Sequence, residues 1–124
     1  MKIDEGKSAW DFWRRLADSS PLQRTQAWEQ LTRPQRAGAV RYSLALLAKR
    51  APGRAVEVRV VPFGAIQAVE GVNHRRGTPP AVVEMDAKTW LDLAVGARQW
   101  DEAEGSGDVD ASGERADLAP YFPL

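Results

Sequence analysis

The chain has 124 residues, no cysteine, one histidine, 44% hydrophobic and 27% charged side chains, and a formal net charge of zero. That length suits one domain with one real core. The composition is that of a globular protein, not of a disordered one. Without cysteine, a disulfide framework, thiolate catalysis and cysteine zinc sites are all excluded. The charges are unevenly spread: 14 of the 17 basic side chains lie before residue 77, against 7 of the 17 acidic ones. This imbalance reads first as two halves that complement each other within one fold, and second as a basic face for an anionic partner.

The opening residues, MKIDEGKSAWDFWRR, lack an apolar stretch long enough for a secretory signal. No apolar run approaches the roughly 20 residues of a membrane span. A cytoplasmic protein without stable membrane insertion is therefore expected. Trp10, Trp13 and Ala17 share a helical face, with Ser8 placed to cap a first helix over 8–17. Ser19-Ser20-Pro21 ends that helix and opens a second, which reaches Leu31.

The third helix is the clearest. Thr32 can cap it, Pro34 suits its first turn, and Ala37, Val40, Leu44, Leu47 and Ala48 form its apolar stripe. Pro52-Gly53 stops it. The period then changes from 3.6 to 2. Val56, Val58 and Val60 alternate with Glu57, Arg59 and Val61, which predicts a strand with one apolar face. Pro62-Phe63-Gly64 breaks it, Ile66–Glu70 forms a second strand, 71–80 a loop, and Ala81–Met85 a third strand.

Asp86 caps a helix carrying Trp90, Leu91, Leu93, Ala94 and Val95, which Gly96 ends. A short helix over 99–104 turns Trp100 and Ala103 inward, and a last strand centres on Val109. The tail packs Leu118, Tyr121, Phe122 and Leu124 after one turn. The expected class is α+β, a mostly antiparallel sheet of four to five strands layered with helices.

Chemistry-bearing constellations are few. His74 stands in a loop beside Arg75 and Arg76, and no acid or nucleophile is nominated by spacing. Asp108-Val109-Asp110 does not follow the EF-hand spacing. No glycine pattern for phosphate follows a strand. No catalytic residue, metal or cofactor is expected. The five tryptophans all fall on proposed helices, where they either fill the core or line a cavity or subunit contact.

The segments PGRAVEVRVVPFGAIQAVEG (52–71), HRRGTPPAVVEMDAKTWLDLAVG (74–96) and SGERADLAPYFPL (112–124) occur in order and at close spacing. Together they resemble the bacterial sterol-carrier-like proteins of actinobacteria. The arginine-rich helix before them fits too, whereas residues 1–33 match only in helical character. Val61 stands where the family would have a second proline.

The resemblance implies a five-stranded sheet layered with helices around an apolar tunnel; with the length it leads to the expectation of one domain over 1–124, with 1–33 as a helical extension packed on it. It implies a non-enzymatic carrier of a fatty acid, acyl-CoA or sterol-like molecule, monomeric or dimeric, with no nucleic-acid partner. Candidate ligand-binding residues are Phe63, Ile66, Val83, Trp90, Leu93, Tyr121 and Phe122 for the lining. Arg75 and Arg76 would meet an anionic head group. Plain core packing is the ordinary alternative for each lining residue. Two other roles stay open: an interaction module built on the tryptophan-rich first helices, and an accessory domain like that fused to mycothiol-dependent isomerases.

Overall fold

The computed structural model describes residues 3–71, 81–113 and 116–124. Three helices come first: α1 (Ile3–Arg14), α2 (Pro21–Gln30) and α3 (Arg33–Arg50). The first begins five residues earlier than its capping pattern predicts, so Ser8 lies in mid-helix. Helices α2 and α3 start as expected. Ser20 and Thr32 each accept from the backbone N–H three residues on, and Gln23 and Gln35 reach back to complete two capping boxes. Helix α1 lies along α3 at very short range: a Cβ on Gly6 would stand 3.0 Å from the Gly38 carbonyl oxygen.

The sheet has the order β2-β1-β3-β4. Its strands are β1 (Val56–Val61), β2 (Gly64–Ala68), β3 (Ala81–Asp86) and β4 (Val109–Ser112). The β1–β2 and β3–β4 pairs are antiparallel, and β1–β3 in the centre is parallel. Four strands stand among the described residues. The turn at Pro62 carries a cis peptide bond and joins β1 to β2 directly. Gly53 permits the approach to β1: its φ is +147°, and a Cβ there would meet the Val69 carbonyl oxygen at 2.2 Å.

Alternation decides the faces. Val56, Val58, Val60, Ala81, Val83 and Met85 are buried, while Arg59, Glu84 and Asp110 form one registered row on the exposed face. The buried face is covered by α3 and by α4 (Ala87–Ala94), which follows β3 without a linker. Asp86 caps α4, accepting from the Thr89 N–H at 2.8 Å. Helix α5 (Trp100–Gly105) packs on β4, and a 3-10 turn over Ala119–Tyr121 starts the tail.

One ion pair among the described residues joins the basic part of the chain to the acidic part: Arg24 of α2 with Asp92 of α4, at 3.3 Å. On the exposed sheet face Arg59 stands in register with Glu84, a second and longer-range attraction between the two halves. Several other arginines serve aromatic faces and carbonyls, while Arg14, Arg59 and Arg98 pair with carboxylates of their own half. Arg33 lies 5.3 Å from the centre of the Phe63 ring, and Arg36 4.2 Å from that of Trp28. Arg41 donates to the Phe63 carbonyl and Arg50 to that of Pro123.

Candidate ligand site

Four of the lining residues expected from sequence, Ile66, Val83, Trp90 and Leu93, come together through strand register and the helix that covers it. Ile66, Val58, Val83 and Ala111 occupy one row across the four strands, on the buried face. Trp90 and Leu93 descend from α4 into the same apolar cluster. Val83, Trp90 and Leu93 are shut off from solvent completely or almost so. Ile66, Tyr121 and Phe122 are partly buried and pack against that cluster from its rim. Phe63 sits at the β1–β2 turn beneath Arg33.

Phe122 is the closest to a plug. Its ring meets Trp90 edge-on at 5.7 Å and stacks on Trp100 at 6.3 Å. The backbone that follows it is tied down. Leu124 N–H donates to the Ala94 carbonyl at 2.8 Å, and Arg50 Nη1 to the Pro123 carbonyl at 2.8 Å. The one polar atom of Trp90 is also satisfied: its indole N–H donates to Ser43 Oγ at 2.8 Å. That hydroxyl in turn donates back to α3 carbonyls, at 2.7 Å for Ala39 and 3.0 Å for Val40. The result is an apolar wall held by aromatic contacts, with the Trp90 indole N–H paired.

Two open depressions lie outside this lining. A groove of about 740 Å³ runs between α1 and the α2–α3 corner, lined by Glu5, Ser8, Ala9, Phe12, Gln30, Leu31, Pro34 and Gln35. A second, of about 310 Å³, involves Trp10, Arg14, Arg15, Val95, Pro123 and Leu124, so it borders the tail that carries Phe122. Trp10 and Trp13 are buried, and Trp28 is partly buried with its ring edge-on to Trp13 at 5.9 Å. The tryptophans of the first helices therefore build the interior, and among the described residues the exposed large apolar ones there are Phe12 and Leu22.

Arg75, Arg76 and His74 lie outside the described residues. Among the described residues no group of three acidic or histidine side chains could hold a metal ion, and no helix is long and apolar enough to cross a membrane. Sequence reasoning missed Val58 and Trp100 as neighbours of the lining. Val58 was within reach, since strand alternation places it on the face of Ile66 and Val83 once the strands are paired. Trp100 was not, because its contact with Phe122 spans two loops.

The order of elements from α3 to the tail can be set beside known families. Residues 32–124 match the family described as bacterial SCP ortholog. The chain belongs to that family. The matched span begins at the Thr32 cap and takes in α3, the whole sheet, α4, α5 and the tail. It thus contains every residue of the proposed lining, while α1 and α2 precede the family region. No curated protein matches the chain.

Proposed function

We propose that this protein binds a hydrophobic, lipid-like molecule without transforming it, as a cytoplasmic carrier. The observation that carries the proposal is membership of the bacterial SCP ortholog family over the span that forms the sheet and its cover. Residues 1–33 act in this reading as a helical extension packed on one carrier domain.

The ligand's apolar part would lie among Phe63, Ile66, Val83, Trp90, Leu93, Tyr121 and Phe122. Each methylene removed from water there contributes about 0.8 kcal/mol before ordering costs, so an acyl chain supplies ample affinity. Arg75 and Arg76 are the proposed partners of a carboxylate or phosphate head group, by paired N–H donation. Because Val83, Trp90 and Leu93 are closed off in the structure, the chain must displace something to reach them. Phe122 is the candidate: it is partly buried, lies at the rim, and contacts Trp90 directly.

Titration of the full chain with a fatty acid and an acyl-CoA, together with native mass spectrometry of the purified protein, tests this. Saturable binding or a co-purified lipid is expected, and neither being found would overturn it. Phe122→Ala sharpens the test. Removing a partly buried ring costs about 2 kcal/mol of stability but vacates space beside Trp90. Affinity for the fatty acid should therefore rise while stability falls. Unchanged or weaker binding would remove Phe122 from the role of plug.

A further inference from the structure

The groove between α1 and the α2–α3 corner differs in character from the lining beneath the tail. Its floor is Ala9 and Leu31, both buried, and Phe12 and Pro34 rise from it to solvent. Its polar groups are Ser8, Gln30, Gln35 and Glu5. Gln35 already uses its side-chain oxygen to accept from the Thr32 N–H. Glu5 is the one charged residue of the lining, is exposed, and makes no ion pair among the described residues.

Among the described residues no cation balances it within the groove, although this part of the chain is rich in arginine. The two arginines that flank Pro34 and Gln35 are held elsewhere, Arg33 over Phe63 and Arg36 over Trp28. Arg36 also donates to the Trp28 carbonyl through both Nε and Nη2. An apolar trough with one carboxylate and no cation repels anionic head groups and attracts a positive one. Phe12 offers the second element that a cation recognises, an aromatic ring 38% exposed.

We propose that this groove is a binding site for an organic cation with an apolar body, such as an alkylammonium or arylalkylammonium ion. Glu5 and Phe12 stand seven residues apart on α1, about 10 Å along its axis. Ser8 and Ala9 lie between them. A cationic head at Glu5 thus leaves room for an apolar body of about that length over Ala9 and Leu31, ending against Phe12 and Pro34. This site lies largely outside the family span and does not depend on the carrier reading. Either can fail while the other stands.

The test uses the isotope-labelled full chain and octyltrimethylammonium, well below its micelle concentration, with octanoate as the anionic control. Backbone amide shifts should saturate with the cation and map to α1 and to residues 30–35. Octanoate should shift these amides at least fivefold less readily. Glu5→Gln, at an exposed position, should weaken cation binding about twofold to fivefold, the strength of an exposed charge pair. Phe12→Ala should weaken it as well. Absent cation binding, shifts that map to the tail instead, equal binding of octanoate, or indifference to Glu5→Gln would each overturn the proposal.

Discussion

Asp92→Asn removes a single charge from the one described ion pair that ties α2 to the family domain. Arg24 and Asp92 are both buried, at 7% and 5% exposure, and approach to 3.3 Å. That approach is ionic without being a hydrogen bond: Arg24 Nε and Asp92 Oδ1 both lack a hydrogen-bond partner. Lys88 holds the other carboxylate oxygen at 3.0 Å from a more exposed position. Deleting one partner of a buried pair typically costs about 3–5 kcal/mol, because the remaining charge stays buried and uncompensated. Arg24 keeps a hydrogen bond to the Ser19 carbonyl, and Lys88 can turn to water. The loss should therefore fall near the low end, about 3 kcal/mol, or a fall in Tm of about 10 °C for a chain of this size. The charge-free pair Arg24→Met with Asp92→Leu should restore stability to within about 1 kcal/mol of the parent, since replacing a whole buried pair is often neutral. Urea unfolding followed by tryptophan fluorescence measures all variants. A loss below 1 kcal/mol for Asp92→Asn would refute the reasoning. So would a double variant as unstable as the sum of its single changes.

Two further outcomes rest on separate contacts. Ser43→Ala leaves the buried Trp90 indole N–H without an acceptor, at a cost of about 1–3 kcal/mol. Alanine's better helix propensity returns only about 0.5 kcal/mol. A net loss in urea unfolding is expected, and a stability equal to the parent's would contradict it. Around Arg98, Nε bonds Glu102 at 2.6 Å and Nη2 bonds Asp108 at 2.6 Å. The hydrogen bond from Arg98 holds both carboxyls below their ordinary values, with Ser106 helping at Asp108. With folded values depressed, this contribution to stability is present above the ordinary carboxylate range and is lost as pH falls through the lower folded values. Arg98→Ala should shift both NMR-detected carboxyl midpoints upward, and midpoints left in place would deny the clamp.

The local rules of the chain were legible because each rests on adjacent residues. Thr32 before Pro34, and Asp86 before its helix, announce helix starts by residue type and spacing alone. The Val56-Val58-Val60 alternation likewise identifies the inner face of β1. Ser8 misled because a serine at a plausible boundary caps only where the chain before it is not helical, and Gly6 instead lets α1 continue across Gly38. The strand order was out of reach. Alternation says which face is buried but not which strand lies beside which, so the parallel β1–β3 pair could not be read. In the candidate site, the apolar character of Trp90, Leu93 and Phe122 was visible, and their grouping came from the family resemblance. The groove beside Glu5 was invisible, because the arginines that would fill it by sequence proximity turn to Phe63 and Trp28 instead.

That central parallel pair also bears on how the chain comes into being. During synthesis β1 and β2 emerge together and can pair with each other before any later strand is made, since only the turn at Pro62 separates them. The other edge of β1 has to wait for β3, which ends at Asp86. Until then a row of unpaired backbone groups, flanked by three buried-face valines, is a template for any extended strand nearby. The nascent chain is thus most vulnerable to mispairing while the segment between β2 and β3 is being made. A chaperone that shields apolar strands would matter most in that interval.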